Sequence, residues 1–406
     1  MPADVGVSPN SDEIVAHLND LRRRHPSLVK VRRLARTDAG RPILAATVTD
    51  PQTPANDKQH VLVVGGQHGN EESGRLVALA LLDWLVSKAA RPTIRRQKLV
   101  VIPNVNPDAA EQDIHCLPGK TRPNLDHAPT GPTTVEGAAV EQVATQLAPE
   151  VFVDLHARGY TGFSYDMVLY PWTRPYTEDD RLFHEIARDM VAAGEKAGTP
   201  HVTHPLTWPG WGGPDCGRDS QSTTGYAYRT FKSIVMLTEN AEHNEVGYPP
   251  SHRARVGLAR LRALLAWGNR RHPSLYYRGY PCYLAAGMFH AGVVAVGRTA
   301  AARRKSRLAV LRQAAGFRGL RATASVEAKR KHHVVDYTGE PIRCPLGFQF
   351  RAGGRYEVGR VKFNAKMLRR SETNGYYTWQ DTCSTFVVAA VAELQPGKHE
   401  VEIEFR

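Results

Sequence analysis

Between Ser11 and Asn269 short apolar runs and amphipathic stretches take turns, and that alternation leaves few architectures open. His60 to Val64, Leu99 to Pro103, Val151 to Leu155 and Ser233 to Thr238 read as buried strands; Glu72 to Lys88, Val135 to Leu147, Glu178 to Ala197 and Pro250 to Asn269 read as helices. Runs this apolar must be covered on both faces, which predicts a mixed, mostly parallel α/β sheet with helices on either side. Ser11 is the expected N-cap of a first helix, with Ile14, Val15, Leu18 and Leu21 at helical spacing and a stop at His25-Pro26. Leu28 to Thr49 reads as two strands about the turn Asp38-Ala39-Gly40.

Beyond about His272 the texture changes to short segments rich in Val, Tyr, Phe and Arg, punctuated by Gly and Pro, among them Gly292 to Gly297, His333 to Tyr337, Tyr356 to Phe363 and a strictly alternating His399 to Phe405. Many short strands predict a smaller all-β, sandwich-like domain over 273–406, after a catalytic domain over 1–272. A chain of 406 residues exceeds the size at which one core stops growing, in keeping with two domains.

The formal charge of +13 is regional: Ser251 to Val334 holds 18 Lys and Arg against the single acid Glu327, and the remainder is slightly negative. No nucleic-acid-binding motif accompanies the basic stretch, so a solvated basic surface is expected there and no nucleic-acid partner. No run approaches the roughly 20 apolar residues that span a bilayer, so no membrane partner is expected. Met1 to Asn10 has neither a basic start nor an apolar run, so a cytoplasmic location is expected. Five scattered cysteines without a CxxC pair argue against a disulfide framework or a cysteine-based zinc knuckle. Nothing in the sequence sets the oligomeric state.

In open α/β sheets reactive groups gather beyond the carboxyl ends of the strands. Here the first central strand runs into Gly65-Gly66-Gln67-His68-Gly69-Asn70-Glu71, the third is followed by His156 and the last by Glu239. His68 and Glu71, three apart at a loop-to-helix junction, point to one side of the first turn. With His156 they make a His₂Glu set of the kind that holds one catalytic Zn²⁺ and leaves a position open for water. Glu239 stands where a general base and acid is needed. Taken singly each has a plainer reading: His and Glu three apart arise by chance, His156 as a core histidine, Glu239 as a cap. Their joint placement on one rim favours the metal.

Five ordered landmarks carry a resemblance: Thr37 to Ile43, the Gly65 to Glu71 run, Pro103-Asn104-Val105-Asn106-Pro107-Asp108, Val153-Asp154-Leu155-His156 and Thr238-Glu239-Asn240. Over roughly residues 11–270 the chain resembles the M14-type zinc carboxypeptidases, a family that includes succinylglutamate desuccinylase and aspartoacylase deacylases. The resemblance implies zinc on His68, Glu71 and His156, catalysis by Glu239, and a peptide or small amide as substrate. It further implies an oxyanion-stabilising arginine, for which Arg122 is the candidate, a carboxylate orienting His68, for which Asp126 is the candidate, and a capping tyrosine at Tyr226 or Tyr228. One departure stands out. Family exopeptidases follow that Asp with an Asn-Arg pair that binds the substrate carboxylate, whereas Asp126 precedes His127-Ala128-Pro129. Arg158, Arg218 and Arg229 are candidate replacements. The Gly- and Trp-rich stretch Thr207 to Thr230 reads either as an aromatic lid or as packing against the β domain. Three readings follow: a carboxypeptidase, a deacylase of a small N-acyl compound, and a non-catalytic binding protein gripping an acidic partner.

Overall fold

The computed structural model describes residues 9–53, 58–127, 131–147, 149, 151–158, 166–171, 177–199, 206–208, 221–231, 233–241 and 248–269. In the C-terminal part it describes 290–294, 307–308, 320–327, 330–337, 346–351, 357–371, 375–380, 384–390 and 395–405. Helix α1 (Ser11–Arg24) leads into the hairpin β1 (Val29–Arg36) and β2 (Pro42–Val48). Then come β3 (Gln59–Gly65), α2 (Glu72–Leu85), α3 (Arg91–Arg96), β4 (Gln97–Ile102), α4 (Pro107–Glu111), α5 (Val135–Leu147) and β5 (Val151–Arg158). The rest of this part is β6 (Met167–Pro171), α6 (Thr177–Lys196), β7 (Leu206–Trp208), α7 (Thr223–Phe231), β8 (Ile234–Ala241) and α8 (Pro250–Asn269).

These strands form one eight-stranded sheet in the order β1-β2-β4-β3-β5-β8-β6-β7. The central strands β4, β3, β5 and β8 run parallel, while β1, β2 and β6 bring in the antiparallel pairings. All seven residues of β3 are buried, as a strand covered on both faces requires. Helix α8 packs on both α2 and α6, while α5 packs on β1 and β3, and α7 on β5 and β8. The core runs through Val61 to Val64, Leu99 to Ile102, Phe152, Val153 and Val235, with Leu76 to Leu82 from α2.

Among the described residues beyond Asn269 the C-terminal part is all-β. One five-stranded sheet has the order β10-β9-β13-β17-β16, from β9 (His290–Val294), β10 (Arg307–Leu308), β13 (Leu346–Arg351), β16 (Gly375–Gln380) and β17 (Ser384–Ala390). The other is β11-β12-β18-β14-β15, from β11 (Leu320–Glu327), β12 (Arg330–Tyr337), β14 (Val358–Phe363), β15 (Lys366–Met367) and β18 (Gly397–Phe405). Much of the basic stretch 251–334 beyond α8, and the expected domain boundary at 272, lie outside the described residues.

Three details differ from expectation. The N-cap of α1 is Asn10, whose Oδ1 accepts from Glu13 N at 2.8 Å while Glu13 Oε2 accepts from Asn10 N at 2.9 Å. That reciprocal capping box satisfies two end amides at once, more than a serine one residue later can. Strands β5 and β8 extend past Leu155 and Thr238, so His156 and Glu239 lie within the ladder and pair directly with each other. Finally, the stretch 207–230 is not one loop, because Leu206–Trp208 joins the sheet edge and Thr223–Phe231 is helical. Its glycines at 210, 212 and 213, Trp211 and Arg218 lie outside the described residues. No helix among the described residues is long and apolar enough to cross a membrane.

Candidate metal centre

The loop between β3 and α2 is held in place by its backbone before any ligand is considered. Gly69 N donates to His115 O at 3.2 Å and Asn70 N to Ile114 O at 3.1 Å. The loop presses so closely on α4 that a Cβ at Gly69 would lie 2.1 Å from Ala109 C, so only glycine fits. Arg75, buried on α2, donates to Gly69 O at 2.6 Å and closes the turn from the other side.

This turn aims His68 and Glu71 at the end of β5. His68 Nδ1 lies 2.6 Å from Glu71 Oε1, and His156 Nδ1 lies 2.8 Å from Glu71 Oε2 and 3.2 Å from His68 Nδ1. The ligand atoms of the three residues all fall within 4.8 Å of one another, and all three residues are buried. Ala157 N donates to Glu71 Oε2 at 3.1 Å, tying the carboxylate to β5.

The outer nitrogens decide what the inner ones offer. His156 Nε2 is 3.1 Å from Asp154 Oδ1, although out of line for a full hydrogen bond, and Gln67 Nε2 donates to the same oxygen at 2.6 Å. His68 Nε2 is 3.0 Å from Asn124 Oδ1. Both outer partners are acceptors, which assigns the ring proton to each Nε2 and turns both Nδ1 lone pairs inward. Two lone pairs and a carboxylate converging in a buried space repel one another unless a cation lies between them, so the residues fit a metal ion. A proton is the other way to satisfy them. Burial works against the charged form of His156, but Asp154 and Glu71 outweigh it and hold its pKa well above the ordinary value. Burial likewise opposes ionisation of Glu71, yet His156 and His68 hold it well below the usual carboxylate range.

Glu239 is opposite His156 in the parallel β5–β8 ladder, so both side chains leave the same face on adjacent strands. It is only partly buried, unlike the three ligand candidates. Behind it, Asn240 Nδ2 donates to His156 O at 3.4 Å. Thr223, opening α7, donates its hydroxyl toward Gln67 Oε1 at 3.1 Å and Asn124 O at 3.3 Å, so the helix N-terminus is pinned to the ligand loop.

The other expected site residues fall differently. Asp126 is not the partner of His68. Its two oxygens accept from the backbone and hydroxyls of Thr133 and Thr134 at 2.6 to 3.0 Å, which anchors the start of α5, and Asn124 takes the place beside His68. A buried carboxylate goes where several donors converge, and the Thr-Thr turn supplies four. Tyr226 is not a capping residue in this arrangement: it is buried, stacks on His127 with ring centroids 5.3 Å apart and turns its hydroxyl toward Thr145 at 3.5 Å. Arg122 is exposed at the start of the 3₁₀ turn Pro123–Leu125, with its charge within reach of His115. Arg158 ends β5, and Tyr228 and Arg229 lie on α7, but their side chains are outside the described residues.

Sequence reasoning missed His115, Asp154, Gln67 and Asn124. His115 stacks on His68 with centroids 3.7 Å apart, and burial together with the neighbouring His68 lowers its pKa to about 4. Asp154 had a legible signal, since residues i and i+2 of a strand share a face and it stands two before His156.

Comparison with known proteins sets part of this chain beside a known family. Residues 14–132 match the zinc carboxypeptidase (Peptidase_M14) family model. Carboxypeptidase 2 of Trichophyton tonsurans is 28% identical over 115 residues, 28% of this chain and 21% of that protein; that of Trichophyton rubrum is 27% identical over the same length. The match thus spans about a fifth of these curated relatives. In fold, the chain is similar to a metallo-carboxypeptidase from Burkholderia cenocepacia, at 20% identity and a TM-score of 0.53, covering 63% of this chain and 68% of that one. It is also similar to bovine thrombin-activatable fibrinolysis inhibitor, crystallised with a tick carboxypeptidase inhibitor, at 13% identity and a TM-score of 0.52 over 64% of this chain and 97% of that one. Over residues 14–132, which include His68 and Glu71, the chain is thus similar to the zinc carboxypeptidases, and its fold is similar to that of metallo-carboxypeptidases.

Proposed function

We propose that the chain is a zinc-dependent hydrolase of peptide or amide bonds, with one Zn²⁺ held by His68, Glu71 and His156 and with Glu239 as general base and acid. The observation that carries this reading is the inward convergence of two Nδ1 lone pairs and a carboxylate, with Glu239 on the neighbouring strand. Zinc, when bound, supplies a Lewis acid that polarises the carbonyl and eases deprotonation of the attacking water. The protein does the rest. Asp154 and Asn124, as acceptors beside the two Nε2 atoms, orient the rings so that each Nδ1 faces inward. Glu239 takes the proton of the attacking water and passes it to the leaving nitrogen, so the amine departs neutral. Arg122, exposed near His115, is our candidate for stabilising the developing negative charge on the carbonyl oxygen. The test is Glu239→Gln: zinc content should stay at one per chain while turnover of a peptide or N-acyl substrate collapses. Loss of both, or of neither, contradicts the assignment.

A specific observation favours a small N-acyl compound over a peptide with a free C-terminus. Asp126 and His127, which follow the residue beside His68, are both engaged within the protein. Buried His127 lies 3.2 Å from Glu141 Oε1, and the sequence from Asp126 to Thr130 holds no arginine, so this segment offers a substrate carboxylate no guanidinium. Comparing an N-acyl dipeptide with its C-terminal amide decides between the two. Equal rates exclude an exopeptidase that grips the carboxylate, and a strong preference for the free acid excludes the deacylase reading.

A further inference from the structure

Helix α8 carries an arginine with no exposed surface. Arg260 is fully buried behind the sheet, where its Nη1 donates to Asn240 Oδ1 at 3.2 Å and its Nη2 is ion-paired with Asp166 Oδ2. Room for it is made by Gly194 on α6, where a Cβ would lie 2.7 Å from Arg260 Nε. In the antiparallel β6–β8 ladder Met167 is opposite Glu239, so Asp166 and Asn240 are the next residues out on the two strands. Side chains alternate along a strand, so Asn240 turns toward α8 from the position where Glu239 turns the other way. Asn240 also donates to the main-chain oxygen of His156 at 3.4 Å. One guanidinium therefore links β6, the strand end bearing Glu239 and the backbone of a metal-ligand candidate. Seven residues earlier, two turns along the same side of α8, Arg253 donates to Ser73 Oγ at 3.2 Å and Glu72 Oε2 at 2.9 Å, in the first turn after Glu71. A buried guanidinium is costly to desolvate, and apolar packing of equal volume often stabilises a fold as well or better, so a role in fixing geometry accounts for its presence.

We propose that Arg260 is a positioning residue for the metal centre: by gripping Asn240 and Asp166 from behind the sheet, it sets where His156 and Glu239 stand relative to each other. The proposal rests on the zinc-hydrolase reading above. Zinc affinity by chelator competition and the visible spectrum of the Co²⁺-loaded protein test it on the full chain, without a substrate. Arg260→Lys keeps a charge for Asp166 but loses the planar fork that also reaches Asn240. The expected result is a zinc Kd raised about tenfold, with altered cobalt bands, in a protein whose circular dichroism is unchanged. The pair Arg260→Met with Asp166→Asn leaves no stranded charge and should give the same change even if the lysine variant folds poorly. Adding Asn240→Ala to Arg260→Lys should weaken zinc by less than about twofold more, because both remove one link. A residue that serves only the fold lowers the Tm and leaves the Kd within about twofold of wild type; that result in the lysine variant and the Met/Asn pair overturns the proposal. Undiminished zinc affinity in His156→Ala is a separate signature, showing that the metal reading itself has failed and the proposal with it.

Discussion

The two sides of the candidate centre are built on different principles. On the ligand side, His68, Glu71 and His156 are buried, and each has a polar neighbour within 3.1 Å: Asn124, the amide of Ala157 and Asp154. On the other side Glu239 is partly buried as a residue, with its Oε2 covered, and its strand is gripped from behind by a helix more than ten residues further on, through Asn240 and Asp166. Rigid direct ligation suits a site that must hold a cation between like-charged atoms. A group that accepts and returns a proton needs a fixed position relative to the metal. Contacts made directly to the ligands thus secure the metal half, whereas a grip from behind the sheet secures the base half, and both join residues distant in sequence.

Substitutions can break or sharpen that contrast. The largest effect is expected for His156→Ala or Glu71→Ala, which should abolish stoichiometric zinc binding, measured by metal content after dialysis, because two ligands leave too few bonds to compete with solvent. Next, Asp154→Asn should weaken zinc by about 10- to 100-fold, since an amide orients the imidazole but no longer supports its basicity. If Asp154→Asn leaves the chelator-competition curve in place, the ligand side is not held as described. Phe152→Ala, in the strand that carries His156, should cost about 3–5 kcal/mol in denaturant unfolding through the cavity it leaves. By contrast Tyr226→Phe should change stability by less than about 1 kcal/mol and leave turnover unaltered, because the contact of its hydroxyl with Thr145 is long and points away from the metal centre. A large fall in kcat would restore Tyr226 to the cleft.

The smallest effect concerns a charge outside both halves. Asp50 Oδ1 accepts from Gln52 N at 3.0 Å, and despite its burial this bond and Arg95 lower its pKa below the ordinary carboxylate value. A depressed carboxyl stabilises the fold above its unfolded pKa and loses that contribution as the pH falls through its folded value. Asp50→Asn should therefore melt slightly lower than wild type near neutrality, with the gap closing below about pH 4. A gap that is constant across that range contradicts the shift.

The legibility of the chain follows the same division. The central strands were readable because a strand covered on both faces must be apolar throughout, as Val61 to Val64 and Leu99 to Ile102 are. The helices α5 and α8 were readable to the residue, their apolar and polar positions following one period. Strands β6 and β7 and helix α7 were not, since each is short and its partner is far away in sequence. The lengths of β5 and β8 were underestimated for a related reason. Polar residues such as His156 and Glu239 look like strand ends in the sequence, but continuing the ladder satisfies their backbone groups.

By itself the sequence determined the α/β sheet, the all-β C-terminal part and the candidates His68, Glu71, His156 and Glu239, because apolar periodicity and short-range spacing are properties of neighbouring residues. Only the tertiary structure decided that Asn124 rather than Asp126 stands beside His68, that Tyr226 is committed to the core, and that Arg260 reaches across to Asn240. Those choices depend on which donors and acceptors remain unsatisfied once the chain has closed on itself, and a buried polar group takes the partner that folding brings within reach.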